Sequence, residues 1–142
     1  MARFSVVWDR PHEVGPWVCE RFGGAWDAST KKAIGLERDG SLIAGVMYDN
    51  FLGKSICMHV AAEGKYWLTR EFLHAVFTYP FDQLGVHKVI GPVDSSNARA
   101  RKLDEHLGFV PEAILTGAAD GGDLILFTMT RQQCRFLKAS HG

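Results

Sequence analysis

The sequence predicts a single α/β domain: a mixed sheet with helices packed on it. Three observations carry that prediction. Asp39-Gly40 stands between two runs of strand character. An apolar stripe at helical spacing separates two further strand-like runs. Asp120-Gly121-Gly122 stands between the last two. The length of 142 residues suits one domain, read here as 1–142 with a helical N-terminal region (9–23) and a core (30–137).

Taken in order, Asp9 and Pro11 open a helix that runs to Phe22 and stops at Gly23-Gly24, with Gly15 and Pro16 inviting a break within it. Ala33–Arg38 and Leu42–Tyr48 form a hairpin, because an Asp-Gly pair accepts the positive φ that a two-residue turn demands. Ser55–Ala62 is a third strand. Leu68, Phe72, Val76, Phe77, Phe81 and Leu84 then recur at steps of three and four, a helix that Pro80 bends or ends near Tyr79. Lys88–Val93 is a short strand, and Ser95 or Ser96 caps a second core helix that Gly108 closes. Val110–Ala118 and Leu124–Thr130 pair as a hairpin, and a helical turn at Arg131–Leu137 finishes the core. Strand–helix–strand in the middle implies a parallel crossover, and the flanking hairpins imply antiparallel pairing.

Composition excludes several classes. Sixteen Lys+Arg against sixteen Asp+Glu argue against a chain that grips nucleic acid through a basic surface. Cys19, Cys57 and Cys134 are isolated, and the six histidines show no metal spacing, so no metal site is expected. No signal-peptide pattern and no apolar run near the roughly 20 residues of a membrane span occur, which points to the cytoplasm and away from membranes. Hydrolase elbows and nucleotide-triphosphatase loops are absent.

The element order, with Asn97-Ala-Arg-Ala-Arg-Lys-Leu-Asp-Glu-His-Leu-Gly-Phe109 as its second core helix, resembles the GCN5-related N-acetyltransferase superfamily. The closing strand Gly122–Arg131 is similar to the branch that acts on ribosomal-protein N-termini and small amines. Trp67–Leu73 and Tyr79–Gly85 resemble small bacterial and phage-encoded members. The resemblance implies an acyl-CoA N-acyltransferase fold, acetyl-CoA as cofactor, and a small-molecule or peptide amine as acceptor. It also admits a homodimer through the C-terminal strands.

Under that resemblance the coenzyme lies along Val60, Ala61 and Ala62, where the family opens its sheet. It continues over the loop Gly64, Lys65, Tyr66, Trp67, Leu68 and Thr69 that leads into the first core helix. A helix N-terminus offers free backbone N–H groups and a favourable dipole to a diphosphate. Asn97 contacts the pantetheine arm or orients its helix, and Arg99, Arg101 or Lys102 meets the 3′-phosphate end. The loop departs from the family pattern. Glu63, Tyr66 and Leu68 fall where an Arg or Gln, a Gly, and a Gly or Ala are usual. Those departures motivate an alternative, a binding module of this fold with weak coenzyme affinity or none.

Two residues are candidates for proton transfer. His59 stands on the strand before the loop, opposite in facing to Met58 and Val60, and an imidazole's intrinsic pKa suits proton abstraction. Asp104 occupies the place of the family's acidic Tyr, seven residues after Asn97. It donates a proton only if its pKa is lifted well above the ordinary carboxylate value. Tyr48, Asp49 and Asn50, at the end of the preceding strand, are the candidate acceptor-binding residues.

Overall fold

The structure is a computed structural model, and it describes residues 1–137. Its elements are β1 (Phe4–Val7), α1 (Pro11–Phe22), β2 (Lys32–Arg38), β3 (Ser41–Asp49), β4 (Ser55–Ala62), α2 (Arg70–Thr78), β5 (Lys88–Asp94), α3 (Ala98–Leu107), β6 (Val110–Ala119) and β7 (Gly122–Thr130). The strands form one mixed sheet in the order β1-β2-β3-β4-β5-β7-β6. Asp39 (φ 51°) and Gly40 (φ 86°) make the tight β2–β3 turn that the Asp-Gly pair predicts. Among the described residues no helix is long and apolar enough to cross a membrane.

β4 and β5 are the parallel pair, joined through α2, and their pairing is short. Ser55, Ile56 and Cys57 lie beside Lys88, Val89 and Ile90, and there the ladder stops. Past that point Met58–Ala62 pair only with β3, and Gly91–Asp94 only with β7. The two strands diverge and leave inner backbone edges without a strand partner. This split positions everything that follows.

Each face of the sheet has its own core. On one face, α1 packs Val14, Val18 and Cys19 against Ala33, Met47 and Ala61. Gly35 and Gly45, directly opposite each other, let it sit close. A Cβ on Gly45 would stand 2.5 Å from a methyl of Val18. On the other face, Phe72, Val76 and Phe77 of α2 and Leu107 of α3 close over Ile34, Val46, Ile56 and Phe127.

Four departures from the sequence reading, and the end of α2 that it places near Tyr79, have local causes. α1 is unbroken: Gly15 is buried beneath Trp26, while Pro16 and His12, whose carbonyl Pro16 leaves without a helical partner, lie on the exposed side. β1, absent from the sequence reading, is four residues at the sheet edge, too short to show an alternation. α2 ends at Thr78 and passes into one π turn, Tyr79–Gln83, because Pro80 has no N–H for the Val76 carbonyl. α3 is capped by Asn97, whose side chain accepts from the Ala100 N–H at 3.1 Å. Ser95 Oγ instead accepts from the Asp123 N–H at the start of β7, and Ser96 Oγ donates to Asp94. Arg131–Leu137 forms turns and bends, not a helix. There Arg135 donates to the carbonyls of His106 and Leu107, so the segment is held by the end of α3 rather than by its own ladder.

Candidate active site

The split between β4 and β5 opens into a cleft with two connected chambers that share Phe22, Val60, Trp67, Asn97, Ala100 and Leu103. The inner chamber, about 250 Å³, passes between the strands at Met58–Val60 and Gly91–Asp94. α2 and α3 close it on one side of the sheet, and Phe22 closes it on the other. The outer chamber, about 500 Å³, continues along Val60, Ala61 and Ala62 to Gly64, Lys65 and Leu68, with Arg21 and Arg99 at its edge.

Three titratable groups line the inner chamber: His59, Asp94 and Asp104. His59 faces α1: it sits opposite Met47 in the β3–β4 register, and its ring stacks on Phe22 (4.9 Å, 8° between planes). Its Nε2 lies 2.9 Å from Asp49 Oδ1, with both side chains less than one-fifth exposed. A carboxylate only accepts, so Nε2 carries the proton and the lone pair falls on Nδ1. Asp49 reaches His59 because it pairs with Cys57, which makes His59 its diagonal neighbour on the same sheet face.

Asp104, on α3, is 8% exposed and rests over Gly91, where a Cβ would come 3.2 Å from its Oδ2. Burial pushes its carboxyl up from 3.8 to about 7, with no charge or hydrogen bond contributing. The condition for a proton-donating carboxyl is therefore present in the environment of Asp104. Asp94, also on the inner wall, goes the other way. Bonds from the Ser96 and Gly121 N–H groups and from Ser96 Oγ hold its carboxyl below the usual range. Asp94 fixes the turn that presents Asn97.

The remaining candidates divide. Val60, Ala61, Ala62, Gly64, Lys65, Trp67, Leu68 and Asn97 all line the cleft. Trp67 is buried edge-on to Phe72. Thr69 caps α2, its Oγ1 accepting from the Phe72 N–H. Tyr66 turns outward, more than half exposed, with the Arg38 guanidinium 4.8 Å from its ring. The bulk expected over the loop is therefore outside the cleft. Arg101 donates to the Ser95 carbonyl and does not line the cleft; Arg99 does. Tyr48 is buried in the core, 1% exposed, and its hydroxyl donates to the Val76 carbonyl at 2.6 Å, the one Pro80 leaves free. It is placed to stabilise α2, not to meet an acceptor. Asn50 takes the left-handed conformation (φ 52°) in the exposed β3–β4 loop.

Three participants are not singled out by the sequence. Phe22 and Arg21 come from the end of α1. The Trp17–Arg21 spacing of one helical turn signals that the guanidinium stacks on the indole, as it does at 3.6 Å, but not that this end of α1 abuts β4. Gly91 is the third; only its place on β5 reveals that its missing side chain makes room for Asp104.

No protein-family model and no curated protein sequence matches the chain. Solved structures do. A mutant of spermidine N-acetyltransferase SpeG from Vibrio cholerae superimposes with a TM-score of 0.72 at 15% identity, over 96% of this chain and 98% of that one. Ribosomal-protein-S5-alanine acetyltransferase from Vibrio fischeri gives 0.60 at 16% identity, over 75% and 65%. A structure described as "Probable acetyltransferase" gives 0.60 at 19% identity, over 72% and 63%. This chain thus spans less than two thirds of the length of the last two. The fold of this chain is the fold of these acetyltransferases.

Proposed function

We propose that this chain is an acetyl-CoA-dependent N-acetyltransferase acting on a primary amine by direct attack within a ternary complex. The observation that carries this reading is the β4–β5 split, whose inner chamber meets both a His–Asp pair and a buried, raised-pKa carboxyl. The cleft fits the coenzyme by its own chemistry. It has an apolar middle and unpaired strand edges that suit a peptide-like pantetheine arm, with cationic side chains at the outer end for phosphates.

When bound, acetyl-CoA supplies an activated thioester. Val60, Ala61 and Ala62 would hold its arm along β4, where backbone N–H groups could meet the thioester carbonyl oxygen. His59 would take the amine proton at Nδ1, with Asp49 holding the ring in that tautomer. Asp104, held protonated by burial, would be the proton donor to the leaving thiolate. Asn97 fixes the N-terminus of α3 beside the arm. Most of the rate comes from holding amine and thioester in line in a cleft shielded by Phe22 and Trp67.

The alternative, a binding module, draws its support from Glu63, Tyr66 and Leu68. Tyr66 turns outward and Glu63 pairs with Arg21 at 2.6 Å, which leaves Leu68 as its one departure on the cleft wall. Spermidine and an alanine-terminated peptide, the acceptor types in the neighbours' names, are the first amines to assay, and a small cationic amine is the acceptor class proposed. Incubation with acetyl-CoA is expected to give a mass gain of one acetyl group on an amine, matched by free coenzyme thiol. Thiol release without acetylated amine, or neither across a broad amine panel, contradicts transfer.

A further inference from the structure

We propose that the Arg21–Glu63 pair is a latch at the anion end of the cleft. In the free protein the Glu63 carboxylate holds the guanidinium that a phosphate of the bound coenzyme takes in its place. This rests on the reading of the cleft as an acyl-CoA site.

The geometry makes Arg21 a fixed cation and Glu63 the movable partner. Arg21 Nη1 donates to the Trp17 carbonyl at 2.8 Å, and its guanidinium lies 3.6 Å from the Trp17 ring centroid. That anchoring sets its plane at the end of α1, on the wall of the outer chamber facing Gly64, Lys65 and Arg99. Only Nε and Nη2 are turned to Glu63, both to the same oxygen, at 3.1 and 2.6 Å. This is a forked donor pair that a phosphate would engage with two oxygens. Glu63 is 56% exposed and accepts from no other group among the described residues, so water readily receives it when it swings away.

The charges also call for it. Lys65 and Arg99 make no ion pair among the described residues, whereas Arg21 is held by Glu63 at 2.6 Å, with the largely exposed Glu20 carboxylate farther off at 3.7 Å. A carboxylate left unpaired on this wall would repel a phosphate; a guanidinium released from it would attract one. Glu63 therefore acts as a built-in competitor that lowers affinity for the phosphate-bearing end and speeds its release.

The test is titration of coenzyme A into wild type, Glu63→Gln and Arg21→Gln, with melting temperatures recorded alongside. The latch predicts opposite signs: Glu63→Gln binds about three- to tenfold more tightly, Arg21→Gln at least about tenfold more weakly. If the pair only straps α1 to the loop, both variants weaken together, and that result overturns the latch, as do two unchanged affinities. A wild type that binds no coenzyme overturns the acyl-CoA reading itself, and the latch with it.

Discussion

Replacing His59 with alanine is expected to lower kcat for acetyl transfer by about two to three orders of magnitude, the usual worth of a positioned general base. Acetyl-CoA affinity should stay within about threefold, because His59 lies on the inner chamber and not among the cations of the outer one. Asp49→Asn separates positioning from packing. An amide donates to Nε2 where the carboxylate accepted, which forces the proton onto Nδ1 and removes the lone pair proposed to take the amine proton. The expected loss is about 10–100-fold in kcat, with a displaced pH profile and an unchanged fold. Full activity in His59→Ala would remove this pair from the chemistry. An Asp49→Asn variant that is slower only because it unfolds would reduce Asp49 to packing.

Asp104→Asn should make the protein more stable and less active at once. A carboxyl raised to about 7 keeps its proton in the folded state at pH values where the unfolded chain, near 3.8, has lost it. Folding stability contributed by this group is therefore intact below about pH 4 and falls as pH rises to about 7, levelling off above. The ceiling on that loss is about 4 kcal/mol, since each tenfold change in proton affinity is worth about 1.36 kcal/mol. The amide carries no such penalty. The variant should melt clearly above wild type at pH 8, with the difference vanishing near pH 4. If Asp104 acts as the proposed acid in its protonated form, wild-type kcat should decline as pH rises through about 7, and that limb should disappear in Asp104→Asn along with about 10–100-fold of the rate. Equal pH dependence of stability in the two proteins would show that Asp104 is not held protonated by burial.

Much of this architecture is legible in the chain because it is written in local chemistry. Asp39-Gly40 demands its turn, the Phe72–Phe77 stripe demands an apolar partner, and Gly108 takes φ 108° at the end of α3. The site is legible where it follows from strand position: Val60–Ala62 lie past the parallel ladder, and His59 faces away from Met58. It is illegible where it depends on tertiary approach. Tyr48 reads as a strand-end residue until α2 packs over it and Pro80 strips the Val76 carbonyl of its donor. Asp49 reads as an acceptor ligand, although the register that makes it a diagonal neighbour of His59 is implicit in the length of the hairpin. Arg21 restores locally the charge that Glu63 subtracts from the loop, and nothing in the spacing of two residues 42 positions apart announces it.

That pairing also refines the neutral composition. Sixteen positive and sixteen negative side chains argue against a broadly basic surface, yet they leave room for a graded cleft. Lys65, Arg99 and the latched Arg21 stand at one end, and the Asp49–His59 pair and Asp104 at the other. An anionic coenzyme and a cationic amine would each meet the end that suits it.

Isothermal titration with acetyl-CoA tests the central claim most directly, since every step proposed depends on the β4–β5 split accepting a pantetheine arm. A single saturable site per chain, weakened by filling the split with Gly91→Val, is the predicted result. No binding at millimolar acetyl-CoA, or binding indifferent to Gly91→Val in a folded protein, would contradict it.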